Sequence, residues 1–261
     1  TFSGTAAFKS KATCPITRNG DLITSTMLHT TLTLKAGDID TSGNAIMPVE
    51  LVQYAGYALI DAVELQIGGT KIDKHYGKWL YIWSQLSTPV GKWHSLNTLL
   101  GNVNTSTMVE NGPTFSNMVL GANGSPHKVE LMVPLAFFFN RNNGLALPLI
   151  ALQYHDVRLE FDFADVNTVA VNGGSFQSNP SNLQMSETEL LVRYIYLDSE
   201  ERKRFAQASH EYLIEQLQFT GAETIVPSSS SNSVSNHNIR LNFNHPVKQL
   251  VWAIDQTSAA T

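Results

Sequence analysis

The chain has 261 residues, 43% hydrophobic and 15% charged, with a formal net charge of −5, enough apolar content for one large or two modest cores. An acidic balance argues against a coat laid directly on nucleic acid, because neutralising phosphates needs a surplus of Lys and Arg. Cys14 is the only cysteine, so no intrachain disulfide forms and packing must hold the fold, as suits a reducing compartment.

Strand signals dominate along the chain. Residues 5–8 read as a strand region. Leu22, Thr24, Thr26, Leu28, Thr30, Leu32 and Leu34 share one parity in a Thr-rich run. Val63, Leu65 and Ile67 alternate with Glu64 and Gln66, Gly68-Gly69 permits a two-residue hairpin turn, and residues 70–72 return as the partner strand. From Gly77 the period becomes helical, with Trp79, Trp83 and Leu86 predicted on one buried face. The longest apolar run, residues 131–139, carries Pro134 and falls well short of the roughly 20 residues needed to span a bilayer. Val157, Leu159, Phe161 and Phe163 alternate with Asp156, Arg158, Glu160 and Asp162, a half-buried strand. Further strands are predicted at residues 129–133, 189–197, 212–219, 238–243 and 247–254. Asp198 and Glu201 give the D-x-x-E start of a short helix with Phe205 as its apolar anchor. Many short strands joined by Gly, Asn, Ser and Pro turns, without βαβ alternation, predict an all-β sandwich, and jelly rolls are among its common forms.

Two long polar intervals interrupt the strands. Residues 87–128 contain a helical candidate at 96–100, and residues 164–186 are rich in Asn, Gly and Ser; both read as surface excursions. Residues 227–236, PSSSSNSVSN, read as a flexible low-complexity loop.

No catalytic, cofactor-binding or metal-binding residue emerges. Asp73, His75 and Tyr76 follow a hairpin, but without a second carboxylate or nucleophile at readable spacing they are assigned to helix capping and packing. His155 and Asp156 are read as neighbours within a strand, facing opposite sides. Ser209-His210-Glu211 is contiguous, so it cannot present nucleophile, base and orienter together, and no G-x-S-x-G elbow occurs. His29, His75, His94, His127, His155, His210, His237 and His245 are scattered singly rather than paired for a metal. Gly68-Gly69 lacks the phosphate-loop frame. Glu200 and Glu201 precede Arg202-Lys203-Arg204, which reads as a solvated or ion-paired helix face. Asn104 and Asn123 head acceptor sequons in the first long interval. Residues 135–139, LAFFF, are barrel core by default or, buried on both sides, a subunit interface; Phe138→Asp separates the two.

Five blocks carry a family resemblance: RNGDLI at 18–23, IGGTKIDKHYGKWLYIW at 67–83, LALPLIALQYHDVRLEF at 145–161, YIYLDSEERKRFAQASHEYLIEQLQFTG at 194–221 and RLNFNHPVKQLVW at 240–252. In this order and over nearly the whole chain, they resemble major capsid proteins of the nucleocytoplasmic large DNA viruses, nearest the phycodnavirus-like branch, with iridovirus proteins more distant. The resemblance implies a double jelly roll of the viral capsid type with short helices in its loops. The first jelly-roll domain is expected at 1–197 and complete, a linking helix at 198–210, and the start of a second jelly roll at 211–261. It further implies an amino-terminal arm and most of the second jelly roll beyond the given residues, so the chain reads as a fragment. Left alone, the opening strands of the second sandwich are expected to expose unpaired edges.

By that resemblance the function is structural and not enzymatic. Homotrimers with a pseudo-hexagonal outline would tile an icosahedral shell, contacting neighbouring capsomers and minor capsid proteins, without direct nucleic acid. Proximity to an internal membrane, glycans on the outer loops, assembly in the host cytoplasm and residence in the virion belong to the same implication. The rival readings are a jelly-roll carbohydrate-binding module and a minor capsid component. For the first, the long intervals offer only Trp93, Phe115 and Phe176 as aromatic platforms.

Overall fold

The structure, a computed structural model, describes residues 2–34, 49–104, 115–116, 118–120, 128–171, 182–224 and 237–254. The loop at 227–236, residues 172–181 with Phe176, Asn123 and His127 lie outside them. Seven long strands form two sheets: β1 (Lys11–Pro15), β2 (Leu22–Leu34), β3 (Ile60–Ile67), β4 (Thr70–Tyr76), β5 (Lys128–Pro134), β6 (Val157–Phe163) and β7 (Leu183–Ile195). The first sheet runs β1-β6-β3-β4, all antiparallel. In the second, β2 is central, with β7 along one side and β5 and the short pair Leu147–Pro148 along the other.

The even residues of β2 predicted to share a face are all buried, and Leu28 and Leu32 are wholly so. They meet Val63, Leu65, Leu159, Phe161, Leu131 and Val133 in one continuous core. The LAFFF run resolves as core: Leu135, Phe137, Phe138 and Phe139 are buried, the last two opening a short helix. Residues 5–8, expected as a strand, are not one. Ser10 Oγ donates to the Thr5 and Ala7 carbonyls and accepts from the Ala7 amide, a local turn that takes up the groups a ladder would need.

Six short α-helices punctuate the described residues: α1 (Ala55–Ala58), α2 (Gly77–Ser87), α3 (Val90–Leu99), α4 (Phe138–Arg141), α5 (Val166–Val169) and α6 (Ser199–Gln207). Helix α3 starts six residues earlier than the predicted 96–100. Helix α2 buries a different face from the one predicted: Gly77, Leu80 and Ser84 face inward, Trp79 and Trp83 are half-buried, and Leu86 is 59% exposed. The cause is close backbone approach. A Cβ on Gly77 would lie 2.3 Å from both the Tyr57 and Ile60 carbonyl oxygens, so the small residue sets which side of the helix docks. Buried beside this contact, the Tyr57 hydroxyl is pushed up to about 12, its bond with Ser84 opposing the shift.

Gly91 has the opposite environment, in the exposed first turn of α3 with open space where a Cβ would project. Gly91→Ala is therefore expected to stabilise the protein by about 0.5–1 kcal/mol, read as a raised midpoint in denaturant.

The chain divides into two compact units, 1–216 and 217–261. The predicted strands at 212–219, 238–243 and 247–254 are not formed; their described residues carry no regular secondary structure. In the second unit the Gln218 side chain accepts from the Asn244 and His245 amides at 2.9 and 3.2 Å. Its alternating apolar residues remain exposed, with Phe219 at 59% and Trp252 at 77%. A strand exists only against a neighbour that takes its ladder bonds, and among the described residues no ladder joins these segments to another strand.

Candidate functional site

Asp73 and His75 point into the sandwich from β4, an edge strand of the first sheet. His75 Nε2 lies 2.9 Å from Asp73 Oδ2, both side chains sealed from solvent, and the ring stacks on Phe137 at 4.6 Å. Asp73 Oδ1 accepts from the Lys74 amide rather than from a helix end. The capping role predicted for these residues is thus absent: Tyr76 stands at the N-cap of α2 with no side-chain cap bond, because its extended backbone leads straight from β4. The packing role stands. Inward polar groups on an edge strand discourage pairing with a foreign strand.

His155 and Asp156 sit just before β6, in the turn rather than in the strand. There the Asp156 carbonyl accepts from the Gly68 amide at 2.8 Å, one position beyond the last ladder pair of Val157 with Ile67. His210 is separated from any nucleophilic use: its ring stacks on Phe205 and Tyr212. Among the described residues no group of three or more His, Cys, Asp or Glu is placed to hold a metal ion. Asn104 lies in a two-residue ladder with residues 115–116.

Two of the three basic residues of α6 pair within the chain. Arg202 pairs with Asp21 at 2.9 Å and Lys203 with Glu200 at 3.2 Å. Asp198 caps the helix as predicted, accepting from the Glu201 amide at 2.9 Å. Asp21 also accepts from the Leu197 amide, and this bond, then that of Arg202, holds its carboxyl below the ordinary 3.8. A depressed folded value means the contribution is complete above the ordinary range and disappears as pH falls through the lower folded value. Asp21→Asn is expected to lower the melting temperature at neutral pH, with the gap to the parent closing in strong acid. Parallel melts across that range check it.

The solvent face of the first sheet is an ordered polar surface. Lys11 pairs with Asp162 at 2.8 Å, Lys71 with Glu64 at 3.2 Å, and Arg158 lies 3.5 Å from Glu160. Lys11 of β1 and Lys71 of β4 flank the acidic Asp162, Glu160 and Glu64 of the two central strands, so both signs are present on this face. The alternating charges of β6 are legible in the sequence but their cross-strand partners are not, since register is invisible before pairing is known.

Known proteins share this architecture. Residues 1–198 match the family described as major capsid protein N-terminus, and residues 201–261 match large eukaryotic DNA virus major capsid protein. Capsid protein 1 of Acanthamoeba polyphaga mimivirus is 45% identical over 96% of this chain and 41% of its own length. The major capsid protein of Pyramimonas orientalis virus is 44% identical over 97% of this chain and 54% of its own. Among solved structures, the PBCV-1 virus capsid superposes with a TM-score of 0.66 at 37% identity, covering 94% of this chain and 52% of that one. The chain thus spans about half the length of the relatives it matches. The fold is of the all-β, double jelly-roll class of viral capsid proteins that the motifs implied. With the first family matched across residues 1–198 and the second across 201–261, the chain belongs to the major capsid proteins of large eukaryotic DNA viruses.

Proposed function

We propose that this polypeptide is shell material: the first jelly-roll domain (1–197), linking helix (198–210) and opening segment of a second jelly roll (211–261) of a major capsid protein. The observation that carries the reading is the 37% identity with the PBCV-1 virus capsid over 94% of the chain at a TM-score of 0.66. Three copies, each with two sandwiches, would give a pseudo-hexagonal trimer able to tile an icosahedral shell of a double-stranded DNA virus through repeated lateral contacts. The two-sign outer face of the first sheet supports weak, reversible contacts with neighbouring capsomers and minor capsid proteins, which allow assembly errors to be corrected. The role is structural, without catalysis, cofactor or direct contact with the packaged nucleic acid. Assembly in the host cytoplasm, an internal membrane nearby and glycans on the outer loops complete the reading.

Quantitative mass spectrometry of purified particles tests it. Peptides of this chain are expected to dominate the particle protein; their absence, or presence only in trace, would contradict a shell-forming role.

A further inference from the structure

After α6 the chain runs through residues 210–216 without regular secondary structure, yet these residues belong to the first compact unit. Leu213 is 85% exposed and Ile214 37% exposed, and polar side chains tie the segment down. Tyr212 donates its hydroxyl to the Ala146 carbonyl at 3.2 Å, and the Glu215 carboxylate lies 3.6 Å from the Arg141 guanidinium. Gln216 Nε2 donates to the Ile72 carbonyl. Ile72 is the residue skipped by the register between β3 and β4, so its backbone stands apart from the ladder on an otherwise open edge.

Arg141 is the fixed end of this arrangement. Its Nε donates to the Ala136 carbonyl at 2.7 Å, its plane lies over the Trp83 ring at 4.1 Å, and only 19% of its side chain is exposed. A guanidinium already oriented by a carbonyl and an aromatic face loses little freedom on meeting a carboxylate. Burial pulls Arg141 below its ordinary value, with the negative charges of Asp73 and Glu215 opposing that shift.

We propose that residues 210–216 are a strap, latched by Arg141 through Glu215, which covers the bulged edge of β4 and fixes the point at which the chain leaves the first unit at Gln216. This role concerns the chain's own architecture and stands whether or not the capsid reading does. Each anchor is individually weak, so the strap is closed most of the time but opens without unfolding the sandwich.

Limited chymotrypsin cleavage after Tyr212 and Leu213 of the full chain tests the proposal, because slow cleavage of a rapidly opening segment reports the open population. Glu215→Ala is expected to speed these cuts about three- to tenfold, with cuts inside the sandwich unchanged. Arg141→Lys, which keeps charge but loses the fork, is expected to do the same, and the double variant to cut no faster than the faster single one. Unaltered cleavage in Glu215→Ala would overturn the latch. So would additive effects of the two changes, or an Arg141→Lys variant that loses the sandwich while Glu215→Ala is silent, since Arg141 would then serve the core alone.

Discussion

Phe138→Asp is expected to yield no folded first unit. Phe138 is 2% exposed, meets Phe139 edge-on at 5.3 Å between ring centres, and sits in the aromatic layer with Phe137, which itself stacks on His75. Replacement removes a large apolar contact and buries a carboxylate among aromatic rings. Losing a buried Phe costs about 3–5 kcal/mol, and an unpaired buried charge adds several more, which together are comparable to the roughly 5–15 kcal/mol of a whole domain. The far-UV spectrum and soluble yield are expected to collapse. Leu86→Asp, at a position 59% exposed, is the control and should change stability by no more than about 0.5 kcal/mol. A folded monomer of Phe138→Asp would return the LAFFF run to the interface reading.

The second large effect is at Gly77. Alanine there places a methyl carbon 2.3 Å from two carbonyl oxygens, of Tyr57 and Ile60, and backbone cannot rotate away as a side chain can. Helix α2 must lift from α1 and β3, opening the contact that buries Leu80 and Ser84. Overpacking of this kind costs about 1–3 kcal/mol and sometimes more, and with rigid atoms on both sides we expect the upper end. Alanine ordinarily favours a helix over glycine, so the sign is diagnostic: Gly77→Ala destabilises by roughly 3 kcal/mol where Gly91→Ala stabilises. Denaturant midpoints of the two variants, measured side by side, check this.

These two positions also mark what could be read from sequence. The parity of β2 and the alternation of β6 were legible because a sandwich buries one face of each strand, and period two is independent of which strand lies alongside. The capped start of α6 was legible because Asp198 and Glu201 act within one turn. Helix α2 was placed correctly but its buried face was not. Apolar periodicity favoured Trp79, Trp83 and Leu86, whereas docking was decided by the absence of a side chain at Gly77, a signal that carries no hydrophobicity. Arg141 was invisible for a related reason. Its surroundings, Trp83, Ala136, Asp73 and Glu215, are far apart in the chain except one, and only the fold gathers them.

The strands predicted at 212–219, 238–243 and 247–254 show the limit of pattern. Their composition suits a pleated surface, but composition supplies no ladder, and Phe219, Trp252 and Ile254 remain exposed. Asp73 and His75 erred in the other direction. Proximity to α2 pointed to capping, while the parity of β4 turned both side chains into the core.

The central claim, that this chain builds a capsid tile, is tested most directly by the solution mass and negative-stain outline of the complete reading frame that contains it, at neutral pH and moderate salt. A capsid tile predicts a mass three times that of one copy and a hexagonal silhouette. A stable monomer at assembly concentrations would contradict it.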